Sequence, residues 1–183
     1  MTHFSHHTTV IRWRQLINRV MSYQNNKSWY HASSNQFDQF DISRSDLGPH
    51  FGNIQQANYI ISNRLGGSGY MYKAKIKAYN PLRLRDEGSF HADNIADQLL
   101  KKRLISKEQY TKYTEKEAWK LRKQYNQEVR NILQDHGYDS VVYQNSHEGK
   151  GVCIIPFNPE DITIVEVKPL LEELDRLLKL AGI

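Results

Sequence analysis

The sequence predicts an α+β domain with a mainly antiparallel sheet system, and three observations predict it. Strand-like segments stand both before and after a helical block, where an α/β fold would alternate the two. The late strands are separated by short polar turns, which suits hairpins and excludes parallel crossovers. Between them, residues 92–135 carry helical spacing almost throughout.

In order along the chain, Val10, Trp13, Ile17, Val20 and Met21 recur at helical spacing with Arg12, Arg14 and Arg19 between them, predicting an amphipathic helix over 9–23. Residues 27–33 read as a short strand. A loop follows to 49, with Phe37 and Phe40 repeated in Gln36-Phe37-Asp38-Gln39-Phe40-Asp41. Residues 54–65 form a helix, stopped by Gly66-Gly67-Ser68-Gly69. The clearest strand is 70–79: Tyr70, Tyr72, Ala74, Ile76 and Ala78 face one way and Lys73, Lys75 and Lys77 the other. Asn80-Pro81 ends it, because proline cannot donate to a ladder. A helix over 92–104 precedes another from 106 towards 135, whose length predicts a break; Trp119, Tyr125, Val129, Ile132 and Leu133 mark its inner side. Strands follow at 140–144, 152–157 and 162–167, then a leucine-rich amphipathic helix over 170–180.

At 183 residues, 25% charged and 39% hydrophobic, the composition is that of an ordinary globular protein with chain enough for a real core. No apolar run approaches the ~20 residues that span a bilayer. Arg12 and Arg14 interrupt the N-terminal apolar residues, so no signal peptide is expected. The single cysteine, Cys153, excludes a disulfide framework and a cysteine zinc site. A cytoplasmic location, with no membrane partner, is the expectation. His3, His6 and His7 lack an acidic or cysteine partner at ligand spacing, so no metal is expected. The loop 66–69 lies between helix and strand, the reverse of a dinucleotide fingerprint, and reads as a turn. Residues 64–130 hold 16 Lys/Arg against 8 Asp/Glu, a basic middle in a mildly acidic frame. That points to an anionic partner, nucleic acid first, with a solvated helix face as the plain alternative.

Several short motifs recur in a telling order: Tyr30-His31-Ala32-Ser33; Gly48-Pro49-His50-Phe51-Gly52 with Ala57-Asn58-Tyr59 after it; Asn80-Pro81-Leu82; Gly137-Tyr138-Asp139-Ser140-Val141-Val142-Tyr143-Gln144-Asn145 followed by Glu148; and Phe157-Asn158-Pro159. Each is weak alone. Together, in this order and spacing, they resemble the small prokaryotic and phage ADP-ribosyltransferases, relatives of the catalytic domains of diphtheria toxin and the poly-ADP-ribose polymerases. The resemblance runs from Trp29 to Val165. It implies two small, mainly antiparallel sheets around an NAD cleft, in a catalytic domain over 29–168 with a helical insertion at about 92–135. A helical extension (1–28) and a C-terminal helix (169–183) would flank it. The family's second motif often carries tyrosine; here Phe51 stands there, beside His50.

Read by itself, Glu148 is one of 20 acidic residues, in a polar hairpin turn where glutamates are usually solvated. The resemblance makes it the catalytic carboxylate, orienting the nicotinamide ribose and stabilising an oxocarbenium-like transition state. It makes His31 the anchor of a ribose hydroxyl and the Ala32 backbone the partner of the nicotinamide amide. Ser33 would add a hydroxyl contact, Phe51 would stack on nicotinamide beside Gly52, and Tyr59 belongs either to the cofactor site or to the core. The implied activity is mono-ADP-ribosyl transfer with NAD as co-substrate, in a toxin or phage-conflict effector that an antitoxin could neutralise. The acceptor would be nucleic acid, RNA ahead of DNA, held by Lys73, Lys75 and Lys77, or else a protein. Two rivals stand beside this reading. One is a non-catalytic nucleic-acid-binding domain using the basic middle and some of the 11 tyrosines; the other is NAD hydrolysis in the same cleft.

Overall fold

The computed structural model describes residues 27–170 together with 179, 180 and 182. The helix expected over 9–23, and most of that expected over 170–180, lie outside the described residues. The elements run β1 (Trp29–Ser33), α1 (Ile54–Arg64), β2 (Tyr70–Ile76), β3 (Pro81–Arg83), α2 (Ala92–Lys101), α3 (Lys107–Thr114), α4 (Arg122–Asp135), β4 (Ser140–Asn145), β5 (Gly151–Pro156) and β6 (Ile162–Pro169). The architecture is α+β: one sheet has the order β1-β2-β6, all antiparallel, and the other β3-β4-β5, with β3 parallel and β5 antiparallel to β4.

The sheets face each other across a core of Tyr72, Ala74 and Ile76 from β2 with Val142 and Ile154 from the second sheet. The opposite face of that second sheet, with Val141, Tyr143, Cys153 and Ile155, packs on α2, α3 and α4 through Ile95, Leu99, Tyr113, Val129 and Leu133. Burial on both faces is why β4 and β5 read as continuous apolar runs and not as alternating strands. Helix α1 covers the outer face of the first sheet, where Ala57 and Ile61 meet Met71. The layers are therefore helix, sheet, sheet, helices.

Chain chemistry sets the element ends. Asn53 and Gln56 form a capping box at the start of α1. At its end Gly66 and Gly67 adopt φ of 66° and 83°, so the Gly67 N–H returns to the Ile61 carbonyl at 2.8 Å. The long helix breaks after Thr114. Thr111 and Thr114 turn their hydroxyls back onto the carbonyls of Lys107 (3.1 Å) and Tyr110 (2.9 Å), which weakens a helix locally. The break lets α3 return against α4, joined by Lys112–Glu128 at 2.6 Å. The strand expected to run to 79 instead stops at Ile76. Asp139 then accepts from the N–H groups of Tyr79 and Asn80, and Pro81 starts the edge strand β3, where its missing donor costs nothing.

Phe51 and Gly52 link the two sheets. Gly52 exchanges both backbone hydrogen bonds with Tyr30 of β1, and Phe51 does the same with Ile154 of β5, each at 2.9 Å.

Candidate functional site

A cleft of about 520 Å³ opens beside that two-residue splice. Its walls are β1, the segment from Phe51 into α1, the turn between β4 and β5, and the loop around Asp86 to Phe90. His31, Ala32 and Glu148 all line it, so residues far apart in sequence share one cavity.

His31 projects between the sheets. The rings of Phe40, Phe51 and Tyr72 surround it, with centroids at 5.1, 5.5 and 6.3 Å. Its Nδ1–H donates to the His50 carbonyl at 2.8 Å, which leaves Nε2 as an acceptor in the neutral ring. Burial among these rings drives its pKa down to about 4, although the bond to the His50 carbonyl favours the charged form. His31 is therefore uncharged at neutral pH.

Ala32 lies two residues after Tyr30 on β1. In an antiparallel ladder alternate residues turn their N–H and C=O to the same edge. Tyr30 turns both towards Gly52, so Ala32 turns both to that edge too, past the end of the splice. Among the described residues no backbone group pairs with them there. A donor and an acceptor stand side by side on the cleft wall. Gly52 is a close-approach position: a Cβ there would fall on the Gln56 carboxamide oxygen and lie 3.2 Å from the Cys153 sulfur.

Glu148 is held from both sides. Asn145, itself buried, accepts from the N–H groups of His147 and Glu148 at 2.9 Å each, and donates its Nδ2 to Glu148 Oε2 at 3.1 Å. Arg64, from the last turn of α1, meets Oε1 at 2.7 Å. The turn is tied to α1 as well: Gln56 Nε2 donates to the Gly149 carbonyl (3.2 Å) and Asn53 Nδ2 to the Lys150 carbonyl (3.2 Å). The glutamate thus sits on a fixed turn, and its carboxylate faces a defined cation.

The floor carries a hydrogen-bonded chain. His50 Nε2 donates to Asp46 at 2.8 Å, and the Tyr143 hydroxyl donates to His50 Nδ1 at 2.8 Å. Asp46 also accepts from the buried N–H groups of Leu47 and Phe90, both at 2.8 Å. Burial alone would raise the Asp46 pKa; the bonds from His50 and Phe90 overcome it and hold the carboxyl below its usual range. Burial likewise holds the Tyr143 phenol and the Cys153 thiol above theirs, so neither is an ionised nucleophile.

The other expected site residues are placed as follows. Phe51 lines the cleft, but its ring is fully buried, packed on Phe40 at 4.9 Å. Its ring belongs to the core between the sheets, so stacking on a ligand does not fit this packing. Tyr30, only partly buried, is an aromatic residue of the cleft wall. Tyr59 is 40% exposed on α1 and does not line the cleft. Ser33 accepts from the Asn35 N–H at 3.1 Å and is likewise not part of the wall. Lys73 and Lys75 lie on the outer face of β2 and Lys77 just past its end; none of them lines the cleft, and Glu166 stands opposite Lys73. Sequence reasoning missed Arg64, which looks like an ordinary helix-terminal cation, and Gln56. It also missed the Asp46–His50 pair, for which the i,i+4 spacing was the available signal.

Among the described residues no helix is long and apolar enough to cross a membrane. No family model matches this chain, and no curated protein does. A crystal structure of an anti-CRISPR protein is similar at 15% identity, covering 78% of this chain and 94% of that one. Its TM-score of 0.38 is too low to carry an argument about fold or function.

Proposed function

We propose that this protein is an NAD-dependent mono-ADP-ribosyltransferase. The observation that carries the reading is the unpaired backbone edge at Ala32 in the same cleft as His31 and Glu148. A primary carboxamide offers one acceptor and one donor side by side, the complement of the Ala32 N–H and C=O. Nicotinamide bound there would place its ribose next to the acceptor nitrogen of His31. Glu148 would face the sugar as the C1′–nitrogen bond breaks and the electron pair leaves with nicotinamide. A fixed carboxylate is the electrostatic complement of the oxocarbenium-like sugar. The acceptor's lone pair then closes the new bond to C1′, and its proton passes to Glu148 or to water.

Arg64 sets a condition on this mechanism. Its contact with Oε1 offsets the carboxylate's charge, so it must move or be shared when the sugar arrives. The NAD diphosphate is an anion able to draw an exposed guanidinium away. The setting we infer is a toxin or phage-conflict effector, with an antitoxin as a fitting partner and nucleic acid, RNA ahead of DNA, as acceptor.

The test is incubation with NAD labelled in its adenylate half, with separate pools of RNA, DNA and protein, while following nicotinamide release. Label on a macromolecule supports transfer and names the acceptor. Nicotinamide release with no labelled acceptor indicates glycohydrolysis. Neither signal, together with no NAD binding, would remove the reading.

A further inference from the structure

A second site lies outside the cleft, on the face where α4 meets the segment 39–45. Two adjoining cavities, of about 450 and 520 Å³, share Ser43, Gln127 and Arg130 and have no lining residue in common with the cleft. Arg130 projects from α4 and is only 5% exposed, yet its Nε has no hydrogen-bond acceptor among the described residues. A buried guanidinium normally has a carboxylate or carbonyl on it, because an unpaired buried charge is costly.

The two carboxylates whose charge reaches it are already engaged. Asp46 gives its oxygens to His50, Leu47 and Phe90. Asp41 accepts from the Ser43 N–H and hydroxyl and faces Arg44 at 3.6 Å. Both act on Arg130 only through space, and burial lowers its pKa against them. Around the opening stand Lys120, Lys123, Ser43 and Ser45, and the first cavity has no acidic residue in its wall. Lys120 is paired with Glu117 at the exposed rim, at 2.8 Å, which leaves Lys123 as the second cation.

We propose that this cavity binds a phosphoryl oxyanion, with Arg130 at its base, Lys123 at its mouth and the Ser45 hydroxyl as a further donor. Arginine suits the role because its planar fork matches two phosphoryl oxygens at once. The group could arrive as a free phosphate or as a phosphodiester of a nucleic-acid chain. The site stands independently of what the cleft does.

Calorimetric titration of the full chain with inorganic phosphate, and separately with a short single-stranded oligonucleotide bearing hydroxyl ends, tests it and separates the two sources. Binding of phosphate alone identifies a free-phosphate or monoester site; tighter binding of the oligonucleotide, weakening steeply with salt, identifies a diester site. In either case Lys123→Glu, an exposed change that leaves the core intact, should weaken binding about tenfold or more, and Arg130→Met should abolish it. The Lys123 variant decides the matter if Arg130→Met fails to fold. Binding that Lys123→Glu leaves unchanged, as Arg64 in the cleft could give, overturns the proposal, and so does no binding of either probe.

Discussion

Glu148→Gln separates chemistry from architecture, because the structure assigns different sizes to the two. Glutamine has the same shape, and the Asn145 contact at 3.1 Å can persist on the amide oxygen. What is lost is the charge, and with it the pair to Arg64 at 2.7 Å. That arginine is 59% exposed and the glutamate 21%, so the pair contributes at most about 1 kcal/mol to stability. In a domain of this size that corresponds to a shift of about 2–4 °C in Tm. The sugar cation is a different matter. Removing one preorganised electrostatic contact to the developing charge costs about 3 kcal/mol in the transition state, which is a loss of about 100-fold in rate. The assay is nicotinamide release at saturating NAD, with thermal melting and NAD titration on the same preparations. Turnover within a few-fold of the wild type would refute the role of Glu148. So would a fall in Tm far beyond a few degrees, which would make the residue structural.

Other outcomes follow from the same geometry. His31 has a folded pKa of about 4 against an ordinary 6.5, so between these values the unfolded chain holds a proton that the folded one lacks. Its contribution to stability is therefore level above pH 6.5 and declines as pH falls towards 4, by up to about 3 kcal/mol; urea unfolding across that window should show a slope that His31→Gln reduces. Asp46→Ala leaves the buried N–H groups of Leu47 and Phe90 without their acceptor and should cost about 3 kcal/mol, read from the urea midpoint. Reversing Lys73, Lys75 and Lys77 to glutamate should lower transfer to nucleic acid while leaving NAD binding unchanged. Unchanged labelling across a salt series would sever that strand face from the acceptor.

The α+β class and most elements were legible because their signals are local: alternation in β2, the glycine stop of α1, two apolar runs around a polar turn. Residues that decide the site were legible only where a motif held them. His31 and Glu148 lie on segments whose order pointed to one cavity, and they do line one cavity. Phe51 does line the cleft, but a loop aromatic outside any periodic face looks more available to a ligand than its buried ring is. Nothing local says that this loop is spliced between two strands, which turns its ring into the core. Arg64 and Arg130 were invisible for a related reason. Whether a helix cation is solvated, paired with a carboxylate or left buried without an acceptor depends on what another element brings to it.

The cleft's charge pattern also constrains any chemistry done there. A cationic sugar would meet only unfavourable fields from an imidazolium, and the rings of Phe40, Phe51 and Tyr72 ensure that His31 is not one. The neutral ring keeps its Nδ1–H on the His50 carbonyl, so it can accept a hydroxyl hydrogen at Nε2 without opposing positive charge nearby. That leaves Glu148 as a formal negative charge in the wall, paired with Arg64, and on the proposed mechanism an anion would compete for the guanidinium. Arg64→Ala therefore splits two effects. It should free the carboxylate, so that kcat holds or rises, and it should remove the cation that a diphosphate would draw, so that KM for NAD rises several-fold. A fall in kcat with KM unchanged would mean that Arg64 only positions Glu148, and the exchange of partners would have to be abandoned.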